Sequence, residues 1–157
     1  MSLLTHSRLY LQRLGYDSPP APTLQTLQDL QLRHVCTFAF ENLSSLMRLP
    51  VPIDLPSVEQ KVLLEGRGGY CYELNQMFLA LLQELGFDAR GITGRVVMGG
   101  APDARTARTH RLSLVTLDGV RYITDVGFGG MVPSSPLLLD TEAVQATASP
   151  PAAVISA

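Results

Sequence analysis

An α+β fold, helices first and antiparallel strands after, follows from three features of the chain. A one-sided apolar stripe with helical spacing runs from Leu74 to Leu85, β-branched and partly alternating segments follow Gly86, and Asp118-Gly119 stands between two of them as a hairpin turn. The 157 residues are 46% hydrophobic and 17% charged, which excludes disorder and leaves room for one ordinary domain or two small ones sharing an interface. A chain of this size buries roughly 70% of its unfolded surface and needs no disulfide staple.

Taken in order, Ser2 is the expected cap of a first helix ending at Leu14, with Gly15 just beyond as the stop. Asp17-Ser18-Pro19-Pro20-Ala21-Pro22 breaks the chain, and Thr23 caps a second helix with Leu24, Leu27, Leu30 and Leu32 on or near one face. The segment Leu49-Pro50-Val51-Pro52-Ile53-Asp54-Leu55-Pro56 is too rich in proline for regular structure, and Ser57 restarts a helix through Leu64. After Gly68-Gly69 comes the clearest helix, with Leu74, Phe78, Leu81, Leu82 and Leu85 on one side and Gly86 at its end. Strands are expected over Phe87–Met98, His110–Leu117 and Val120–Val126. The division is a helical module over 1–86, a β module over 87–145 and an irregular tail over 146–157. With about three strands, that β module is left with exposed edges.

The same composition excludes several functions. Twelve Lys and Arg against 14 Asp and Glu give a charge of −2, so no basic field exists for a phosphate backbone. Apolar runs fall well short of the ~20 residues of a membrane span. Met1-Ser2-Leu3-Leu4-Thr5-His6-Ser7-Arg8 lacks the basic start and apolar stretch of a secretory leader. Cys36 and Cys71 form no metal-binding spacing, so no metal is expected and a reduced, cytoplasmic setting is.

Cys71 carries the chemistry. It follows Arg67-Gly68-Gly69-Tyr70 and opens the strongest helix, where the macrodipole and free N–H groups favour thiolate over thiol. A buried structural thiol is the alternative, and it is the reading given to Cys36. Of three histidines, His6 is taken as solvated and His34 as a cation at a helix C-terminus. His110 opens a strand, and the Asp118-Gly119 hairpin brings it within about two rungs of Asp125 across the ladder. Aspartate is depleted from strand interiors and calls for a partner there, which an imidazole supplies. Cys–His–Asp is the combination for acyl transfer through a thiolate. Gly127-Phe128-Gly129-Gly130 lacks the spacing of a dinucleotide loop; glycines beside a cleft let a ligand approach backbone. Glu41 and Glu73 are candidates to support the site, although Glu73 also has an ordinary dipole explanation.

Arg67-Gly68-Gly69-Tyr70-Cys71-Tyr72-Glu73-Leu74-Asn75 resembles the signature of the arylamine N-acetyltransferase family. Phe40-Glu41-Asn42-Leu43, Gly94-Arg95-Val96-Val97, Thr109-His110 and Asp125-Val126-Gly127-Phe128-Gly129-Gly130 agree with it in order and spacing, over about residues 3–145. The resemblance implies a helical bundle packed on a partial antiparallel β-barrel, with a cysteine-protease-like triad at their interface. It implies Cys71 as the acetyl-accepting nucleophile, His110 as base and Asp125 as its orienter. It further implies acetyl-CoA as donor and an aromatic amine or hydrazine as acceptor, in a ping-pong reaction of xenobiotic metabolism. Phe40, Val96 and Phe128 match positions lining the acceptor pocket, with plain core packing as the alternative. The chain departs from the family in Phe38-Ala39-Phe40, where proline commonly precedes the phenylalanine, and in Met131, where glutamine is common. It also stops where a third, C-terminal domain is expected, and that domain contributes to CoA binding in the family. Two other readings stay open, a non-catalytic or self-associating truncated module and a Cys–His–Asp hydrolase.

Overall fold

A computed structural model describes residues 3–97, 99–101 and 103–147. The chain runs through α1 (Ser7–Arg13), α2 (Leu24–Thr37), α3 (Leu43–Leu46), α4 (Leu55–Glu59), a π-helical turn (Gln60–Leu64) and α5 (Cys71–Glu84). Strands β1 (Asp88–Gly94), β2 (His110–Leu117), β3 (Val120–Thr124) and β4 (Leu137–Leu138) follow. Helices precede an antiparallel sheet, the expected α+β order.

Several boundaries differ from those expected, each for a physical reason. Ser2 lies outside the described residues, and α1 begins only after His6. Its entry is held from elsewhere, because the Glu59 carboxylate accepts the N–H groups of Thr5 (3.0 Å) and His6 (2.7 Å). Thr23 caps α2 by accepting the Thr26 N–H. Its buried face is Leu27, Leu30, Gln31 and His34; Leu24 and Leu32 are exposed, which corrects the expected stripe. Asp54 rather than Ser57 starts α4, accepting the Ser57 N–H, so Leu55 and Pro56 fill a first turn where proline's missing N–H costs nothing. Next comes the π turn, closed by Glu65 N–H on the Gln60 carbonyl.

Helix α5 is the centre of the core. Leu74, Met77, Phe78, Leu81 and Leu82 have no exposed surface, and Leu85 is only partly buried. It packs on β1 and β2, so helices and strands share one apolar core that includes Ala89, Val115 and Val126.

The sheet order is β1-β2-β3-β4, antiparallel throughout. Asp118 and Gly119 both have positive φ, the conformation that a tight hairpin turn demands. Strand β1 stops at Gly94, opposite His110, four residues short of the expected Met98, which lies outside the described residues. Beyond it the Thr106 hydroxyl bonds the Val96 carbonyl, so loop contacts replace the ladder. Strand β3 stops at Thr124, not Val126, because the next N–H groups are diverted. Val126 N–H donates to Asn75 and Gly127 N–H to the Asp125 carboxylate. The unforeseen β4 pairs Tyr122 and Ile123, and the Gln145 side chain bonds both backbone groups of Leu138. Of the expected tail, residues 146 and 147 carry no helix or strand, and 148–157 lies outside the described residues.

Candidate functional site

Cys71, His110 and Asp125 come together where the start of α5 meets the first residue of β2 and the turn after β3. Cys71 is the first residue of α5, and Tyr70 precedes it in extended backbone. The Glu73 carboxylate reaches back to accept the Tyr70 N–H at 3.0 Å, one arm of a capping box. Cys71 is 9% exposed, its sulfur 3.8 Å from the Thr109 carbonyl oxygen. His110 Nε2 lies 2.5 Å from Asp125 Oδ2, both side chains buried.

The two titrating groups beside each other move in complementary directions. Burial raises the Cys71 thiol pKa, but the neighbouring His110 ring, the Arg111 and Tyr72 backbone N–H groups and the charge of His110 outweigh it and leave the value below that of an ordinary thiol. Burial lowers the His110 pKa, but the hydrogen bond to Asp125, the neighbouring Cys71 sulfur and the charges of both outweigh it, lifting the imidazole to about 9. Together these favour a thiolate beside an imidazolium, the reactive form of a cysteine nucleophile.

Behind the trio stands a polar frame that sequence reasoning only touched. Asp125 Oδ1 accepts from Asn75 Nδ2 at 2.9 Å and from Gly127 N–H at 2.9 Å, while Oδ2 faces His110. Lys61, delivered by the π turn, lies 2.8 Å from Glu73 and 3.3 Å from Glu41, and Arg67 lies 2.9 Å from Glu41. Glu41 is thus paired with Lys61 and with Arg67 of the loop before Cys71, and Glu73 with Lys61. The signal available in the sequence was a polar residue, Asn75, next to Leu74 at the start of the apolar stripe of α5.

The three residues expected to line an acceptor pocket come from three segments. Phe128 stands edge-on to the His110 ring with centroids 5.1 Å apart. Phe40 is 41% exposed, its backbone bridged to Gly69 and its ring against Gly129. It lines a cavity of about 280 Å³ with Asn42, Val51, Lys61, Tyr70 and Glu73. Val96 is half-buried beyond the end of β1.

The glycines after β3 serve close approach rather than a nucleotide loop. A methyl group on Gly127 would stand 3.0 Å from Cys71 Cα and 3.1 Å from Asn75 Nδ2. Elsewhere the structure corrects two expectations. His34 is not a helix-end cation: it is fully buried, and burial depresses its pKa to about 3. Cys36, read as structural, is exposed and packs into no core. Among the described residues no cluster of three or more His, Cys, Asp or Glu is arranged to hold a metal ion, and no helix is long and apolar enough to cross a membrane.

Comparison with known proteins adds to this geometry. A family model described as N-acetyltransferase matches residues 23–155. The arylamine N-acetyltransferase of Escherichia coli (strain K12) is 43% identical over 138 residues, 88% of this chain and 49% of that protein. That of Mycobacterium tuberculosis (strain ATCC 25618 / H37Rv) is 44% identical over 146 residues, 90% of this chain and 52% of the other. Among solved structures, arylamine N-acetyltransferase from Salmonella typhimurium superposes with a TM-score of 0.85 at 39% identity, covering 92% of this chain and 53% of that one. The Mycobacterium marinum enzyme in complex with CoA gives 0.82 at 45% identity, covering 90% and 54%. The chain spans about half the length of the curated relatives it matches.

Proposed function

This chain belongs to the arylamine N-acetyltransferase family, and from that premise we propose that it carries an acetyl group from acetyl-CoA to the nitrogen of an aromatic amine or hydrazine through Cys71. The observation that carries this reading is an imidazole that a buried carboxylate holds at 2.5 Å, with the Cys71 sulfur 3.8 Å from the carbonyl of Thr109, the residue before His110 in the chain. The solved relative with CoA supports the choice of donor.

In the first half-reaction the Cys71 thiolate attacks the carbonyl carbon of the acetyl thioester. The bond from that carbon to the CoA sulfur breaks, and the departing sulfur takes a proton from the His110 imidazolium. Acetyl-Cys71 and a neutral His110 remain. In the second half-reaction the amine lone pair attacks the acetyl carbon, His110 accepts the N–H proton, and the Cys71 thiolate leaves, restoring the pair. Asp125 holds the ring in one orientation and stabilises its charged form, the role that a buried carboxylate has behind a catalytic histidine. Phe128 edges the His110 ring and Phe40 offers an apolar face nearby, both suited to a flat aromatic acceptor.

Single-turnover mixing with p-nitrophenyl acetate tests the chemistry without CoA recognition. The parent is expected to release one burst of p-nitrophenol per chain and then to yield N-acetylated product when an arylamine is added. The Cys71→Ala protein is expected to do neither. A burst of equal size in Cys71→Ala, or release of acetate alone in the presence of amine, would overturn the proposal.

A further inference from the structure

Every group that must meet in the candidate site comes from a different stretch of chain, and one side chain touches all of those stretches. Asn75 lies one helical turn after Cys71 on α5 and is completely buried. Its Nδ2 donates to the Arg111 carbonyl at 2.7 Å, next to His110 on β2, and to Asp125 Oδ1 at 2.9 Å. Its Oδ1 accepts the Val126 N–H at 3.0 Å. A primary amide has two N–H donors, and both are spent here. The orientation of the amide is unambiguous, since carbonyl and carboxylate oxygens only accept and a backbone N–H only donates.

We propose that Asn75 is a positioning residue that pins the nucleophile's helix to the strand of the base and to the carboxylate behind it, acting through Asp125, Arg111 and Val126 rather than on the reacting atoms. This inference rests on the acyl-transfer reading of the site and extends it. Among the described residues no other side chain bonds Asp125 Oδ1 to α5. The remaining partner of Asp125 Oδ1 is the Gly127 N–H, which lies on Asp125's own segment and so orients the carboxylate without tying it to α5. Packing of α5 on the sheet brings the elements together but is apolar and tolerates small slips. Three directional bonds at one buried amide do not. The result expected of a correctly seated Asp125 is a fixed His110 ring, and hence a thiolate at Cys71. The ionisable groups around that sulfur are His110 from β2 and Tyr70 from the residue before α5, with Asp125 behind the imidazole.

The test is the pH dependence of iodoacetamide alkylation, read at the Cys71 peptide by mass spectrometry so that exposed Cys36 does not contribute. In the folded Asn75→Ala and Asn75→Ser proteins the midpoint of that profile is expected to rise by about one pH unit towards an ordinary thiol. Leu82→Ala, a core truncation on the same helix, is expected to lower Tm while leaving the midpoint where it is in the parent. An unshifted midpoint in both folded Asn75 variants would overturn the proposal. Loss of fold in both would do so as well, because it would assign Asn75 a purely structural role. Alkylation involves no acetyl group. A parent that shows a low midpoint but no acetyl transfer would therefore count against the proposed function and not against the role of Asn75.

Discussion

Two buried histidines sit in opposite environments in this molecule. His110, at the meeting of α5 and the sheet, has a carboxylate on Nε2 and a thiol beside it, and its pKa rises to about 9. His34, inside the helical half, has no hydrogen-bond partner on either nitrogen among the described residues and is enclosed by Tyr10, Phe38 and Phe78, with ring centroids 4.8–5.8 Å away. Arg13 lies over the Phe38 ring of that cage. Burial removes the His34 charge and depresses its pKa to about 3. Burial is common to both; the partner decides the sign. One pocket is built to hold charge and the other to exclude it.

The comparison breaks most sharply at His110. His110→Ala is expected to slow p-nitrophenyl acetate turnover at pH 7 by about 100-fold or more, since the group proposed to take and return the proton is gone. A variant within a few-fold of the parent would remove the site from the acyl-transfer reading.

Next in size is the acid limb. The folded pKa of His34 lies below its unfolded value of 6.5, so the unfolded chain binds the extra proton first. The stability contributed by neutral His34 is therefore complete above pH 6.5 and is lost as pH falls towards about 3, at about 1.4 kcal/mol per pH unit. His34→Leu is expected to move the acid-unfolding midpoint, followed by circular dichroism, to lower pH. The sign reverses for His110, whose raised pKa makes its contribution complete below pH 6.5 and lost as pH rises through about 9. Each histidine thus limits a different end of the pH range.

A smaller effect sharpens the seam alone. Gly127→Ala forces a methyl group against Cys71 Cα and Asn75 and is expected to cost about 1–3 kcal/mol in denaturant unfolding, with reduced Cys71 reactivity. The smallest effect belongs to the apolar pocket. Tyr10→Phe removes a buried hydroxyl that has no protein partner among the described residues, and is expected to raise stability by about 1 kcal/mol, read as a higher Tm. A fall in Tm would mean that this hydroxyl is satisfied.

Local signals carried far in this chain, and their reach had a clear limit. The Asp118-Gly119 hairpin, the Thr23 cap and the stripe on α5 each depend on neighbours within about one or two turns or rungs, and each is where the residues indicated. The hairpin also carried the candidate site, since its register alone put His110 close to Asp125. Boundaries failed where a distant side chain replaced the local partner. Glu59 caps α1 from more than 50 positions away, and Asn75 draws Val126 out of β3. The burial of His34 lies beyond that limit, because a helix end seen in sequence says nothing of what closes over it.

The residue order by itself determined the succession of helices and strands, the turn that folds β2 against β3, and the three residue types capable of acyl chemistry. Periodicity, turn propensity and side-chain chemistry are properties of short stretches and need no knowledge of the rest. Only the tertiary structure decided which polar groups meet. It placed Asn75 across three segments, set Lys61 between two carboxylates, and left one histidine with a counter-ion and the other among aromatic rings. Hydrogen bonds and ion pairs depend on distances of a few ångströms between residues far apart in the chain, and those distances come into being only when the core closes.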